Sequence, residues 1–306
     1  MPRLSIIVCT HNPNLTNLDR TLAALQAQDL AVEQWELIVI DNASALPLAP
    51  RIDLQWHRQA RVCREETLGL IHARLHGMRV ASGELIVFVD DDNLLASDYL
   101  SKTVAIADTR PWLGAWGATI RGEFASKPPE WIQPYLYGLA VREIMRERWQ
   151  NLPAPSSAVP AGAGMTLRRS VCHRYLDVCN TDPRRLKLGR SGQALSSGED
   201  VDLALTATDL GLGFGIFPEL RLTHLIPANR LEIGYVSRLM ESIEQSHHLL
   251  LYLRDASYRP PGHFGEDLLI RWRMRHMSPE RRLIERSIAR GRRNALRAIK
   301  ELARTP

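Results

Sequence analysis

Long apolar runs are missing from this 306-residue chain. No stretch approaches the ~18 uninterrupted apolar residues of a membrane-spanning helix. Cysteine is scarce: Cys9, Cys63, Cys172 and Cys179 have neither zinc-ligand nor redox spacing, so reduced thiols are expected. The first residues, MPRLSIIVCTHN, contain a short apolar run but no small-residue cleavage site follows. They read as a first strand rather than a signal peptide, and a cytoplasmic location is expected. No repeat period is visible. Charge of one sign is also lacking over most of the chain. The net charge is +5, but residues 281–306 hold nine Lys/Arg against two Glu, and subtracting that +7 leaves −2 for residues 1–280. A nearly neutral body argues against nucleic acid as the main partner.

What is present is an ordinary globular composition, 45% hydrophobic and 24% charged, sufficient for a real core. LSIIVC (4–9), ELIVID (36–41), LQWH (54–57) and ELIVFVD (84–90) read as strands. Between them, residues 16–28 and 67–82 have helical apolar spacing, with Thr16 as the expected N-cap of the first helix. Continuous Ile/Val/Leu strands alternating with helices indicate a mostly parallel sheet covered on both faces, an α/β fold. Further on, residues 113–122 suggest a strand, 127–138 a Pro- and aromatic-rich loop, and 151–164 a Pro/Ser/Gly linker. GMTLRRS (164–170) reads as a strand turning into a helix, and GEDVDLALTATDLG (198–211) as a helix opened by acids. FGIFPELRLTHL (214–225) reads as two short strands broken at Pro218, with helix from 232 to the end. The expected organisation is an α/β domain over 1–228 and a helical region over 229–306.

Ligands of such sheets bind beyond the carboxyl ends of the strands. Three strands end there in polar groups: Thr10, His11 and Asn12; Asp41 and Asn42; and Asp90, Asp91 and Asp92. Three adjacent carboxylates repel one another unless positive charge sits among them. A divalent metal, Mg2+ or Mn2+, is the reading that uses hard oxygen ligands with open positions for phosphates. The alternative is a solvated acidic turn. His224, far away in sequence at a strand end, is a candidate additional ligand or a structural histidine. Glu199 and Asp200 open a helix. One could cap it while the other faces a cleft as a general base, or both could simply complement the helix dipole.

SIIVCTHN, ELIVIDNAS, GLIHARLHGMRVASGELIVFVDDDN, AGAGMTLRRS and SGEDVDLALTATDLG together resemble the family 2 glycosyltransferases in order and spacing, over roughly residues 3–225. That resemblance implies the GT-A fold, a Rossmann-like α/β sheet, and inverting transfer of a sugar from a nucleotide diphosphate sugar, most simply a UDP-sugar, to an acceptor hydroxyl. It implies that Thr10 and Asp41, with His11 and Asn12 in the same loop cluster, hold the nucleoside, and that Arg74 lies near the base. Asp90 would reach the ribose side, Asp91 would be the middle residue of a DxD-like motif, and Asp92 with His224 would hold the metal. Asp200 would be the catalytic base with Glu199 beside it. Thr67 and Leu75 depart from the family pattern at the nucleotide end.

On the acceptor side, Trp131, Tyr135 and Tyr137 are candidates for stacking on sugars or for pinning their loop, and Gly162 and Gly164 for close backbone approach to a ligand. Arg168 and Arg169 suit phosphates or, more simply, structural capping. The basic amphipathic tail, 281–304, is expected to lie peripherally on an anionic inner membrane face, or to pack on the body or a second copy in a homodimer. The expected acceptor is a glycan or lipid-linked, in polysaccharide, lipopolysaccharide or glycoconjugate synthesis. Two rival readings are a nucleotidyltransferase and a non-catalytic nucleotide-sugar-binding protein. CTHNPNLTN lacks the Gly-rich basic loop of the first, and a pure binder would need no GED carboxylate.

Overall fold

The computed structural model describes residues 2–192, 194–260 and 276–304. Its centre is a nine-stranded sheet in the order β3-β2-β1-β4-β8-β6-β9-β5, with β7 paired to β9. Strands β1 (Leu4–Thr10), β2 (Trp35–Asn42), β3 (Ala60–Glu65) and β4 (Leu85–Asp90) run parallel. β6 (Leu113–Phe124) and β9 (Gly213–Ile226) are also parallel to each other. The short strands β5 (Asn93–Leu95), β7 (Arg148–Gln150) and β8 (Thr166–Arg168) pair antiparallel. The sheet is mostly parallel, as its continuous apolar strands predict.

The reason is burial on both faces. Side chains alternate along β1, so Leu4, Ile6 and Val8 pack with α1 (Leu15–Gln26) and α3 (Tyr99–Thr109). Ile7 and Cys9 face the opposite layer, with α2 (Leu70–Val80), α4 (Arg169–Thr181) and α5 (Glu199–Thr206). The long helix α6 (Ile233–Arg254) adds Leu249, Leu250 and Leu253 to that second core. The C-terminal helix α7 (Pro279–Leu302) lies along α6, and Ile284 joins a third cluster with Ile132, Tyr135 and Leu139.

Several local expectations change. The first helix starts one residue early, capped by Asn14, whose side chain accepts from the Asn17 amide at 3.3 Å; Thr16 lies inside the first turn. Residues 54–57 form no strand. Trp56 and His57 instead fold onto Trp35, with ring centroids 6.1 and 4.2 Å away. The strand is ARVCRE (60–65), an edge strand whose half-exposed polar side chains hide it from an apolar pattern. Residues 130–139 form a 3-10 helix rather than a loop, burying Ile132, Tyr135 and Leu139. Pro218 does not end a strand. Phe217 pairs with Ala118 and Arg221 with Thr119, so residues 218–220 bulge out of one continuous β9, where a missing amide costs nothing. The helical stretch expected from 232 onward is interrupted after Arg254; residues 261–275 lie outside the described ones. All four cysteines are free.

The tail is amphipathic, but its inner face is turned to protein. Ile284, Ser287, Gly291, Ala295 and Ile299 are buried, and a Cβ on Gly291 would stand 2.2 Å from the Glu241 carbonyl of α6. The apolar stripe on which membrane insertion would depend is therefore covered by α6.

Candidate active site

The carboxyl ends of β1 and β4 open into a cavity of about 510 Å3. Thr10, His11, Arg74, Asp90, Asp91, Asp92, Glu199, Asp200 and His224 all line it. Residues spread over more than 200 positions of sequence are brought together by strand register.

β1 and β4 pair Cys9 with Asp90, placing Thr10 beside the acidic turn, where its hydroxyl donates to Asp91. Asp91 is half-buried, and desolvation together with the charge of Asp92 pushes its carboxyl up to about 6, against the hydrogen bond from Thr10. The antiparallel β5–β9 ladder pairs Asn93 with His224, which carries the imidazole to Asp92. His224 Nε2 is 3.3 Å from Asp92 Oδ2, and its Nδ1–H donates to the Leu139 carbonyl at 2.9 Å. Arg230, in the turn after β9, puts Nη1 3.3 Å from Asp92 Oδ2 and 3.2 Å from His224 Nε2. An arginine can only donate, so that second contact uses the imidazole lone pair. The point between Asp92 and His224 is thus a seat for positive charge.

Arg74 lies at the centre of the floor, 4% exposed and stacked 5.2 Å above the Phe88 ring. Its guanidinium stands 3.6 Å from Asp90 Oδ1 and 3.4 Å from Glu199 Oε1, joining the end of β4 to the start of α5. Glu199 is buried, its Oε2 without a hydrogen-bond partner. Desolvation raises its carboxyl to about 7; Arg74 opposes the rise, and Asp200 and Asp90 add to it. Asp200 is half-exposed to the cavity and accepts from the Val201 amide at 2.9 Å and the Gly162 amide at 3.2 Å. Gly162 must lack a Cβ, which would lie 2.5 Å from Arg74 Nη2, so its close approach is to that guanidinium. Gly164, at φ +73°, packs against Tyr99 and Leu222.

Two expected residues stand apart from the cavity. Asp41 is buried beside β3, accepting from the Leu48 amide at 3.0 Å and from Arg64 at 2.9 Å, its register partner across the ladder. Asn12, at φ +46°, uses its side-chain oxygen to accept from the Ala45 amide at 2.8 Å, and its backbone N–H donates to the Ser44 hydroxyl oxygen at 2.9 Å. It steadies the loop between β1 and β2 from outside the cavity. His11 bridges the two, its Nδ1–H donating to the Asn42 carbonyl at 2.7 Å and Nε2 facing the Asn12 amide at 2.9 Å.

Of the aromatic candidates, Tyr137 lines the cavity and is 56% exposed, whereas Tyr135 is core and Trp131 packs against that core. Arg168 and Arg169 are structural, donating to the carbonyls of Leu113 and Ala81 at 2.6 and 3.0 Å. Sequence reasoning missed the cations of the wall: Arg142, Arg190 and Arg230 all line the cavity, and Arg190 is near enough for its charge to act on Asp92. Tyr235 and Ile243 of α6 were also missed. Single residues in loops and on a helix face carry no motif; only the position of Arg230, six residues after His224, was a weak signal.

The residues present fit a divalent metal. An aspartate oxygen and an imidazole nitrogen converge with a cation between them, while among the described residues no third His, Cys, Asp or Glu joins them. Two protein ligands would leave coordination positions for phosphate oxygens and water.

A mostly parallel sheet thus carries an acidic strand end opposite a second carboxylate pair, over one cavity. Residues 5–176 match the family described as Glycosyl transferase family 2, and the chain belongs to that family of glycosyltransferases. It is similar to the succinoglycan biosynthesis protein ExoM of Rhizobium meliloti (strain 1021), 24% identical, covering 81% of this chain and 75% of that one. N-acetylgalactosaminyltransferase 7 of Drosophila melanogaster is 26% identical over 90% of this chain, which spans about half of that relative's length, 51%. Among solved structures, a mannosyltransferase from Pyrobaculum calidifontis, in complex with GDP-Man and Mn2+, superposes with a TM-score of 0.57. It has 19% identity and covers 100% of this chain and 76% of that one, which supports the fold.

Proposed function

We propose that the chain moves a sugar from a nucleoside diphosphate sugar, a UDP-sugar as the first choice, to a hydroxyl of a glycan or lipid-linked acceptor, with inversion at the transferred carbon. The observation that carries this reading is the sharing of one cavity by the Asp90–Asp92 turn and Asp200, which gives a leaving-group end and a base end. The solved mannosyltransferase binds GDP-Man with Mn2+, which supports a nucleotide-sugar donor and a divalent ion.

In this scheme Asp92 and His224 would hold Mn2+ or Mg2+, which when bound would supply positive charge to the departing diphosphate. Arg230 and Arg190 offer further cations to the same oxygens, at the wall where charge develops. Thr10 and His11 border the nucleoside, and Arg74 positions Asp90 relative to α5. Asp200, held by two backbone amides, takes the proton of the attacking hydroxyl. A single displacement needs one base and one stabilised leaving group, so no covalent intermediate is required. Tyr137 and Tyr235 present rings on which an acceptor sugar can pack.

The test is product analysis with a panel of nucleotide sugars and Mn2+. Release of nucleoside diphosphate with a glycosylated acceptor supports the proposal. Formation of nucleoside triphosphate and sugar 1-phosphate when pyrophosphate is added to the nucleotide sugar would assign a nucleotidyltransferase, and tight donor binding with no product would assign a binding protein.

A further inference from the structure

We propose that the outer face of α7 docks on an anionic lipid surface by charge alone, without inserting into it. Arg286, Arg290, Arg293, Arg297 and Lys300 follow one another along α7 at alternating steps of four and three, the spacing of one stripe along a helix, Arg304 continues the spacing in the turn just past its end, and all six are exposed. At the helical rise of 1.5 Å per residue the part of the row on α7, from Arg286 to Lys300, is about 21 Å long. Only Arg290 has an acidic partner among these six, Glu241 at 2.9 Å; the other five have none among the described residues. Two acids adjoin the row in sequence, Glu285 half-buried beside Arg286 and Glu301 exposed beside Lys300.

Three features select the partner. Ile284 and Ile299 are already buried and Leu283 is the one large apolar side chain of α7 that is exposed, at 40%, so the helix has no apolar stripe to insert and Coulomb attraction is the main force left. Residues 279–304 contain no aromatic side chain, so nucleic-acid bases have nothing there on which to stack. A straight row of cations on a convex helix meets a plane along its whole length, and clusters of this size are attracted to anionic leaflets. The helix that carries the row is joined to the active site through its inner face: Ile284 packs in one cluster with Leu139, whose carbonyl holds His224.

The inference is independent of the sugar-transfer reading, since it is tested by partition and not by turnover. The full chain is sedimented with phosphatidylcholine vesicles containing phosphatidylglycerol, and with phosphatidylcholine alone. Binding is expected only to the anionic vesicles, and is expected to fall as salt rises from ~0.01 to ~0.1 M and the screening length drops from ~30 to ~10 Å. Each lost cation should weaken partition about fivefold, so neutralising Arg293, Arg297 and Lys300 together to Gln should cost about 100-fold. An unchanged melting curve shows that this variant folds; should it not, Arg297→Gln alone carries the fivefold test. No sedimentation of the wild type with anionic vesicles at low salt overturns the proposal. So does equal binding to neutral vesicles, which would mean apolar insertion, or stronger binding to a DNA or RNA duplex than to the vesicles.

Discussion

The molecule has two acidic triplets, and their fates differ. At the end of β4, Asp90, Asp91 and Asp92 all border the cavity, each meeting a different neighbour: Arg74, Thr10, and His224 with Arg230. At the start of α5 the helix turns one acid away. Glu199 and Asp200 border the cavity, whereas Asp202 is fully buried between Arg185, at 2.5 Å, and Arg254, at 2.9 Å. Composition does not separate these carboxylates. Their partners do: Asp202 is closed off by two guanidinium groups and serves the fold, while Asp200 and Asp92 keep a side toward the cavity and are available to a ligand.

The comparison breaks most visibly at Asp200. Asp200→Asn is expected to lower turnover by roughly 10²- to 10⁴-fold, the scale of general-base help, with an unchanged melting temperature. Wild-type turnover would show that another group takes the proton. Asp202→Ala should do the reverse, leaving two buried guanidinium groups facing a hole. Urea unfolding is expected to show a loss of about 3–5 kcal/mol, and a loss no larger than that of a surface mutation would remove the distinction drawn here. Asp92→Ala is expected to weaken Mn2+-dependent nucleotide binding at least ~10-fold by calorimetry, since even residues behind the ligands change metal affinity on that scale. Equal affinity in wild type and variant would point to other ligands.

The smallest effect concerns Glu199. Its folded carboxyl is raised to about 7 from an ordinary 4.5, so between those values the folded chain holds a proton that the unfolded chain has released. Stability from this group is therefore greatest below about pH 4.5 and declines as pH rises toward 7, with a slope near 1.4 kcal/mol per unit at most. Glu199→Gln should remove that decline. The difference between wild type and variant, measured by urea unfolding across this range, is expected to slope; a flat difference would mean that Arg74 keeps the carboxylate charged throughout.

Much of this was legible before folding. β1, β2 and β4 announce themselves because both faces of each are covered, so the middle of each strand is a continuous apolar run, with polar residues gathered toward the ends. β3 was misplaced for the opposite reason: on the sheet edge its outward positions are Arg61 and Arg64, which pair with Glu36 and Asp41. The 3-10 helix after Pro129 was missed because its prolines and aromatics look like a loop until α6 is packed against Ile132 and Leu139. In the site, the acids stand out as neighbours in sequence. Arg142, Arg190 and Arg230 do not, because an isolated arginine acquires meaning only from what lies across from it.

From the chain of residues alone came the family, the mostly parallel sheet and the carboxylates at its lip, since each rests on local order: apolar alternation, adjacent acids, motifs in register. The tertiary structure alone decided that His224 reaches Asp92, through the pairing of β5 with β9, that Arg74 bridges Asp90 and Glu199, and that Asp41 and Asn12 stay outside the cavity. It also decided that the tail shows its surroundings a row of cations while its apolar side meets α6. Distance and burial are properties of the packed chain, and no spacing along the sequence contains them.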